Sequence, residues 1–329
     1  MGAALTAVGA ALPSKKLENA ELAERFGVTE DWIVARTGIQ SRRVASDDDS
    51  VVSLAATAGT QVLRAADVNP QQLDLVIVAT CSSQQQIPAN APLVANEIGA
   101  RNAAAFDLNG ACSGFLFALA QATALVENGT SRRVLVCGSD LLTRYTNPED
   151  RGSSILFGDG AGAALVEYYD GPSRLGPFSL RTDGSRASIL GIPEGERYLH
   201  MEGREVYRNA VEQMAASVGE LIKDTSMAAE DIDLLVAHQA NARILRAVAE
   251  RLGFPMEKVL TNIAQVGNTS AASIPLALAD AYESGTISDG DNIVLTAFGA
   301  GFTWGAGLVV WGTGDRQSKA VALAGDIRA

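Results

Sequence analysis

One order of sequence patterns occurs twice in this chain, and that repetition limits the possible folds more than any other feature. In the first half, an apolar run at residues 73–79 (LDLVIVA) precedes a turn of small residues at 110–115 (GACSGF) and an alanine-rich helical stretch. In the second half, residues 232–237 (IDLLVA) precede the turn at 267–272 (GNTSAA) and a similar stretch. Any two α/β units share some likeness, but the matching order and spacing favour an internal duplication.

Apolar runs alternate with helical patterns along the whole chain, which is typical of α/β proteins. Strands are predicted for the N-terminal segment 1–13 and for residues 73–79, 133–137, 161–167, 234–237, 292–296 and 307–311. Helices are predicted at residues 19–26, 50–66, 91–98, 113–127, 205–225, 240–252 and 270–284. An Asp-Gly-Pro turn marks the join between the halves, and we predict units at residues 1–170 and 171–314, followed by a tail at 315–329.

Charge and cysteine content exclude several classes of protein. A net charge of -12 argues against a nucleic-acid partner, which needs a basic face, so an acidic partner would require a local basic patch. Three cysteines in 329 residues favour a reducing compartment, and no cluster suggests a metal site. The short apolar N-terminus lacks a basic lead-in, and no apolar run reaches the roughly 18 residues of a membrane span. We therefore expect a cytoplasmic protein without membrane association.

Cys112 is the first candidate for chemistry. It opens a predicted helix after a glycine-containing turn, where the helix N-terminus favours a thiolate and backbone N–H groups can bind an oxyanion. The alternative is a small buried core cysteine, which is the commoner role of a lone cysteine. Cys81 and Cys137 sit at or beside apolar strands, and for them we favour the core role.

His238 and Asn268 are the second and third candidates. His238 ends an apolar strand, where the ligand crevice of an α/β sheet lies, and imidazole handles protons near neutral pH. The alternative for His238 is a structural role. The other histidine, His200, is predicted to be a surface or strand residue. Asn268 lies in the counterpart of the Cys112 turn, although an asparagine before Thr-Ser is also an ordinary helix cap. Three such residues at three strand-to-helix junctions are a stronger signal than any one alone.

Six motifs in order resemble the β-ketoacyl-acyl-carrier-protein synthase III family of the thiolase superfamily, over residues 4–311. They are WIVARTGI (32–39), ACSGF (111–115), DRG with FGDGAG (150–152 and 157–162), HQAN (238–241), GNTSAAS (267–273) and FGAGF (298–302). The resemblance implies a five-layered αβαβα fold made of two duplicated halves, and a homodimer. It implies a ping-pong decarboxylative condensation of acyl-coenzyme A with malonyl-acyl-carrier protein, without a metal or redox cofactor.

The resemblance also assigns roles to residues. Cys112 would carry the acyl group, and its N–H would form the oxyanion hole with that of Ala300, while His238 and Asn268 would bind the malonyl thioester carbonyl. Trp32 and Arg151 would sandwich the adenine of coenzyme A. Further coenzyme A contacts would come from Arg36, Thr37, Gly203, Tyr207, Ala240 and Asn241; the acyl pocket from Ile87, Leu142, Phe157 and Phe298; and carrier-protein docking from Arg208, Arg243, Arg246 and Arg251. A core role for Trp32 and an ordinary solvated face for the arginines are the alternatives.

Departures from the family pattern leave the primer and the pathway open. Ala300 replaces a usual glycine, and Ile87 stands where a bulky aromatic restricts the primer in some members, so we expect room for longer or branched acyl groups. A priming or ester-forming enzyme of a polyketide pathway would have the same catalytic residues. A degradative thiolase is disfavoured because no second cysteine lies in a glycine-rich C-terminal motif, and a silent partner subunit because Cys112, His238 and Asn268 are all present.

Overall fold

The computed structural model describes residues 1–225 and 227–313, so the predicted tail at 315–329 lies outside the described residues. The strands are β1 (Gly2–Ala11), β2 (Lys16–Glu18), β3 (Ser41–Arg43), β4 (Leu75–Ala79), β5 (Ala104–Leu108), β6 (Arg133–Leu141), β7 (Asp159–Tyr169), β8 (Leu175–Thr182), β9 (Leu190–Gly191), β10 (His200–Met201), β11 (Leu234–Ala237), β12 (Asn292–Gly299) and β13 (Thr303–Val310). The helices are α1 (Asn19–Phe26), α2 (Glu30–Thr37), α3 (Val51–Ala66), α4 (Asn90–Ile98), α5 (Gly114–Glu127), α6 (Arg151–Ser154), α7 (Gly203–Thr225), α8 (Ala242–Leu252), α9 (Ile263–Val266) and α10 (Ser273–Glu283).

Two main sheets share one topology. The first has the order β1-β7-β6-β4-β5, and the second has the order β8-β13-β12-β11. Each sheet contains an antiparallel pair of strands, β6–β7 in the first and β12–β13 in the second. The first strand of each pair also lies parallel to another strand, with β4 beside β6 and β11 beside β12. The second sheet even retains a trace of a fifth strand, because Val259 forms an isolated parallel bridge with Leu235 where β5 pairs with β4 in the first.

Five layers follow from the alternation of side chains along the strands. In β4, Leu75, Ile77 and Ala79 face a central cluster that contains α5 and α10, while Val76 and Val78 face an outer cluster with α3 and α4. The second sheet likewise contacts the central cluster on one face and α7 and α8 on the other. The predicted αβαβα fold with two duplicated halves is therefore confirmed.

Most predicted elements are present, with shifted ends. The helix at residues 19–26 and the strand at 234–237 have the predicted bounds, whereas β6 and β12 extend further and β13 begins earlier than predicted. The sequence did not reveal β5, β8 or α2. Strand β5 is an edge strand whose side chains are partly exposed, so it lacks the continuous apolar run of its neighbours. Within the described residues, no helix combines the length and apolarity needed to cross a membrane.

Candidate active site

Cys112 lies in a strained turn at the start of a buried helix. The 3₁₀ turn Ala111–Ser113 connects β5 to α5, and Ala111 within it has a φ of 48°. This left-handed conformation costs a non-glycine residue about 1–2 kcal/mol. The turn leaves Cys112 partly exposed at the wall of a cavity instead of buried in the central layer, so the core role considered for Cys112 does not apply.

The counterpart turn of the second half packs directly against the Cys112 turn. It is the 3₁₀ turn Ser270–Ala272 before α10, and Ser270 in it has a φ of 52°. The Ser270 hydroxyl donates a hydrogen bond to Cys112 Sγ at 3.3 Å. Burial raises the pKa of the Cys112 thiol to about 12, and the Ser270 hydrogen bond opposes that rise. Cys112 is therefore a neutral thiol at pH 7, with a donor placed to stabilise negative charge that develops on sulfur.

His238 follows the last residue of β11 and is almost fully buried, at 2% exposure. Burial lowers its pKa to about 4, so the ring is neutral at pH 7. Its Nδ1 lies 2.7 Å from Ser273 Oγ, which also accepts the N–H of Gln239 at 3.3 Å. Because Ser273 Oγ already accepts the Gln239 N–H, its hydroxyl proton is donated to His238 Nδ1. This arrangement leaves the ring proton on Nε2, where it can be donated into the cavity.

The backbone and the side-chain amide of Asn268 are both held in place. Its backbone bridges to the segment at Phe157, accepting from Gly158 N–H at 3.0 Å and donating to Leu156 carbonyl at 2.9 Å. Its Oδ1 accepts the Ser270 N–H at 3.0 Å. Asn268 is therefore not the N-cap considered in the sequence analysis, since Thr269 and Ala272 precede the turn and α10, and its bond to Ser270 uses only the amide oxygen. The Nδ2 group remains as a hydrogen-bond donor at the cavity wall.

A single cavity of about 890 Å³ brings the predicted residues together. Its wall includes the three catalytic candidates. It also includes the oxyanion candidate Ala300, the docking candidate Arg243 and most of the residues expected to contact coenzyme A and the acyl chain, namely Trp32, Arg36, Leu142, Arg151, Phe157, Gly203, Tyr207, Ala240, Asn241 and Phe298. The predicted Cys, His and Asn therefore converge on one cavity large enough for an extended thioester substrate.

The expected oxyanion hole depends on a close approach at Gly299. A Cβ atom at this position would lie 2.7 Å from the Cys112 nitrogen and 3.1 Å from that of Ser113. The adjoining residue, Ala300, lines the cavity, and Thr303 Oγ1 bridges the carbonyls of Ala300 and Gly110 at 3.1 and 2.9 Å. Glycine at 299 thus allows the β12–β13 connection to lie against the Cys112 turn, although the sequence analysis did not single it out.

The adenine sandwich expected between Trp32 and Arg151 is closed. The Arg151 guanidinium carbon lies 4.7 Å from the centroid of the Trp32 ring, and that of Arg36 lies 4.3 Å from it. These are cation–π distances that leave no space for a third ring. A base would have to displace one guanidinium in order to stack on Trp32.

Two of the residues expected to contact coenzyme A make structural hydrogen bonds. Thr37 is 1% exposed and lies outside the cavity wall, because its hydroxyl donates to Ile33 carbonyl at 2.7 Å and accepts from Ile39 N–H at 3.0 Å. Its contact with coenzyme A stays a prediction, which the position of the side chain does not favour. Asn241 does line the cavity, but its amide caps α8 and donates to Arg36 carbonyl at 3.1 Å, linking α8 to α2.

Three of the four side chains predicted for the acyl pocket line the cavity of this chain, and the fourth does not. Leu142, Phe157 and Phe298 are each at most 5% exposed and line the cavity. Ile87 is 88% exposed and does not line it. It lies in the connection from β4 to α4, and because its side chain does not line the cavity it does not set the size of this chain's own pocket. An acyl contact by Ile87 would have to be made in another subunit.

The four arginines predicted to dock the carrier protein are all exposed. Arg243, Arg246 and Arg251 are exposed on α8, and Arg243 also reaches the cavity wall and the Tyr207 ring. Arg208 differs, because it forms an ion pair with Glu205 at 2.6 Å. Among the described residues, the three α8 arginines form no ion pair, so their charges are available to an acidic partner.

Cys81 was predicted as a core cysteine, and that prediction is wrong. Its side chain is partly exposed and lines the cavity, with Sγ 3.7 Å from Ser270 Oγ and from Asp140 Oδ2. It follows β4 by two residues and therefore emerges at the same sheet edge as the Cys112 turn after β5. Cys137, by contrast, is fully buried as predicted. Adjacency of β4 and β5 is the signal that could have placed Cys81 correctly, but β5 was itself missed.

Comparisons with known proteins agree with the geometry. Residues 106–184 match the model of the 3-oxoacyl-[acyl-carrier-protein] synthase III family, and residues 222–311 match that of its C-terminal part. A β-ketoacyl-[acyl-carrier-protein] synthase III of Synechococcus sp. (strain WH7803) is 44% identical, with 94% of this chain and 96% of the relative covered.

Solved structures of related enzymes have the same fold. The 3-oxoacyl-(acyl carrier protein) synthase III of Pseudomonas aeruginosa PAO1 superposes with a TM-score of 0.91 at 40% identity, covering 95% of this chain and 99% of that one. The priming β-ketosynthase of the R1128 polyketide pathway also superposes with a TM-score of 0.91, at 35% identity over 95% of this chain and 97% of that one. This chain belongs to the 3-oxoacyl-[acyl-carrier-protein] synthase III family of condensing enzymes.

Proposed function

We propose that this enzyme joins an acyl group from acyl-coenzyme A to the two-carbon unit of malonyl-acyl-carrier protein, releasing carbon dioxide and forming a 3-ketoacyl-carrier protein that starts fatty-acid synthesis. The observation that carries the proposal is the convergence of Cys112, neutral His238 and Asn268 on one cavity of about 890 Å³. Family membership at 44% identity over nearly the whole chain supports the reaction class.

In the first half-reaction, Cys112 sulfur attacks the thioester carbonyl of acyl-coenzyme A. The Ser270 hydroxyl, 3.3 Å from Sγ, stabilises the charge that develops on sulfur as its proton leaves. The N–H groups of Cys112 and Ala300 act as donors to the carbonyl oxygen. Coenzyme A departs as the free thiol, and the acyl group remains on Cys112 as a thioester.

In the second half-reaction, malonyl-carrier protein loses carbon dioxide and leaves an enolate. Neutral His238, through Nε2–H, and Asn268, through Nδ2–H, donate to the thioester oxygen on which negative charge develops. The enolate carbon then attacks the acyl-Cys112 carbonyl, the carbon–sulfur bond breaks, and Cys112 leaves as a thiolate that takes up a proton from water. Electrons balance without a metal or redox cofactor, and the proposal includes none.

The cavity mouth supports coenzyme A as the acyl donor. Trp32 offers a ring face, and Arg36 and Arg151 place two guanidinium groups within 4.7 Å of its centroid. An incoming adenine would replace one guanidinium on the ring, and that guanidinium would then be available to phosphate oxygens. The exposed arginines of α8 would receive the acidic carrier protein at the same mouth.

We further propose a homodimer that works in the cytoplasm. Strand β5 is an uncovered edge of the first sheet, and Phe106 on it is 39% exposed. The even more exposed Ile87 lies in the connection that follows the adjacent β4. An apolar sheet edge of this kind is a site where a second copy can continue the sheet.

Priming of a polyketide pathway, or acyl transfer to another acceptor, is the second candidate. The specific observation in its favour is the TM-score of 0.91 to the R1128 priming β-ketosynthase at 35% identity. Both functions share acylation of Cys112, and they differ in the acceptor that removes the acyl group.

Intact-protein mass spectrometry tests the proposal. Wild type and Cys112→Ala are incubated with a panel of acyl-coenzyme A thioesters, and malonyl-carrier protein is then added. We expect an acyl adduct on wild type alone, followed by its discharge as 3-ketoacyl-carrier protein. An adduct that persists with malonyl-carrier protein but is discharged by another acceptor would favour the second candidate, and no adduct with any thioester would refute both.

A further inference from the structure

The active-site cavity contains a second thiol that the proposed condensation does not use. Cys81 and Cys112 both line the cavity, and both sulfurs contact the same Ser270 hydroxyl, at 3.7 and 3.3 Å. They come from adjacent parallel strands, since Cys81 follows β4 and Cys112 follows β5. The two sulfurs therefore share contact with one hydroxyl oxygen.

The carboxylate of Asp140 contacts Cys81. Asp140 is fully buried at the end of β6, and its Oδ1 accepts the Cys81 N–H at 2.9 Å. The Cys81 thiol itself donates to Oδ2 at 3.7 Å, and the N–H of Ala271, next to Ser270, donates to the same oxygen at 3.1 Å. Asp140 thus fixes both Cys81 and the Ser270 turn, and it offers a base to the Cys81 proton.

We propose that Cys81 is a resolving cysteine, which converts peroxide-oxidised Cys112 into a Cys81–Cys112 disulfide and so makes oxidation of the active site reversible. The inference rests on the proposed function only in taking Cys112 as the nucleophile. It assigns the cavity a modification site for small hydroperoxides, the oxidant class that a cavity open to both thiols admits.

The chemistry balances in two steps. Cys112 sulfur attacks a hydroperoxide, a sulfur–oxygen bond forms, the peroxide oxygen–oxygen bond breaks, and an alcohol or water leaves; sulfur is oxidised to sulfenic acid and the peroxide is reduced. Cys81 sulfur then attacks Cys112 sulfur, the sulfur–sulfur bond forms, and the sulfur–oxygen bond breaks. The hydroxide leaves as water with the proton that Cys81 gives up through Asp140.

The electrostatics assign the order of the two thiols. Burial and then the Asp140 charge raise the pKa of Cys81 well above its usual value. Burial also raises the pKa of Cys112, but there the Ser270 hydrogen bond is the next largest influence and acts in the opposite direction. Cys112 sulfur accepts from the Ser270 hydroxyl, whereas Cys81 sulfur donates to the Asp140 carboxylate. Contacts and charges thus agree that Cys112 reacts with the peroxide first and that Cys81 attacks afterwards. Without a resolving thiol, sulfenic acid proceeds to sulfinic acid, which thiols do not reduce.

The full-length enzyme is treated with hydrogen peroxide, alkylated, and analysed by non-reducing peptide mass spectrometry, for wild type and Cys81→Ser. We expect wild type to yield a peptide linked through Cys81 and Cys112, lighter by two hydrogen atoms. Dithiothreitol should restore most of its Cys112 acylation, relative to the same sample before peroxide. Cys81→Ser should instead gain two oxygen atoms on Cys112 and recover at least about 10-fold less of its own starting acylation. Fully buried Cys137 serves as the internal control thiol and should stay unlinked.

Sulfinic acid on wild-type Cys112 without a linked peptide, or equal recovery of the two proteins, would overturn the proposal. A link through Cys137 would overturn it as well, because it would indicate unfolding rather than a built pair. The linked peptide is detected by mass whether or not the enzyme condenses anything. A disulfide in a protein that acyl-coenzyme A never acylates would therefore uphold the inference while refuting the proposed function.

Discussion

At the scale of single residues, burial gives His238 the protonation state that an enolate donor needs. A histidine with an ordinary pKa would be partly cationic at pH 6 to 7, whereas burial lowers the pKa of His238 to about 4. The ring thus stays neutral across the physiological range. Ser273, 2.7 Å from Nδ1, leaves Nε2 as the donor, so the tautomer and the charge state both follow from the surroundings.

The same burial makes the fold sensitive to acid. The folded pKa of His238, about 4, lies below its reference value of 6.5, so only the unfolded chain binds the proton between these values. Stability due to neutral His238 is therefore complete above pH 6.5 and is lost as pH falls toward 4, by up to about 3 kcal/mol. Urea unfolding at pH 7 and pH 4.5 should show a smaller acid loss for His238→Asn than for wild type.

The chain supplies its own control for this measurement. The other histidine, His200, is exposed on β10, and His200→Asn should keep the acid sensitivity of wild type. Equal acid losses in all three proteins would show that His238 is not buried in its neutral form.

The sequence alone singled out Cys112, His238 and Asn268, because each lies in a short motif, ACSGF, HQAN or GNTSAAS, that resembles the pattern of the family. It did not identify Ser270, Cys81 or Gly299 as parts of the site. Their roles depend on contacts between the halves, such as the 3.3 Å bond from Ser270 to Cys112, and one sequence does not contain such distances. Thr37 shows the reverse case, since a motif residue proved to be buried in its own helix end.

At the scale of elements, α8 combines positioning of the site with an exposed charged face. Its buried face contacts the outer side of the second sheet, and its N-terminal cap, Asn241, holds it to α2 beside Trp32. The exposed face carries Arg243 and Arg246, three residues apart and therefore neighbours on the helix surface. The periodicity of α8 was evident in the sequence, whereas edge strand β5 was not, because its partly exposed side chains resemble those of a loop.

Reversing one charge on α8 should weaken carrier-protein binding selectively. Arg246→Glu places a carboxylate where an acidic carrier protein would approach, so KM for malonyl-carrier protein should rise at least about 10-fold, with the effect shrinking at high salt. Acylation of Cys112 by acyl-coenzyme A should change little, because Arg246 does not line the cavity. Steady-state kinetics at two ionic strengths, together with a single-turnover acylation assay, measure both.

A matched charge reversal separates docking from net charge. Arg64→Glu changes an exposed arginine in the last turn of α3, in the outer helical layer beside the first sheet, and alters net charge by the same amount. It should leave KM for the carrier protein near the wild-type value. A comparable rise in both variants would assign the effect to overall charge and remove α8 from the docking surface.

At the scale of the whole molecule, duplication explains why one active site needs both halves. Helices α5 and α10 lie together in the central layer. The two turns that precede these helices are therefore adjacent, and Ser270 contacts Cys112. The sequence predicted this architecture from the repeated order of its patterns. The sequence could not predict that the counterpart of β5 in the second sheet is a single bridge at Val259. Strand β5, by contrast, is a full strand at the edge of the first sheet.

That edge is the place to test the proposed homodimer. Phe106→Lys puts a charge on β5 at a side chain that is 39% exposed, and pairing of two copies across this edge would have to bury it. We expect sedimentation velocity to show a dimer for wild type and a dissociation constant at least about 10-fold higher for the variant, equivalent to roughly 1.4 kcal/mol. Ile192→Lys is the matched variant, because Ile192 has the same 39% exposure and follows β9, which belongs to a different sheet from β5. A monomeric wild type would refute the homodimer, whereas equal dissociation of both variants would keep the dimer and move its interface away from β5.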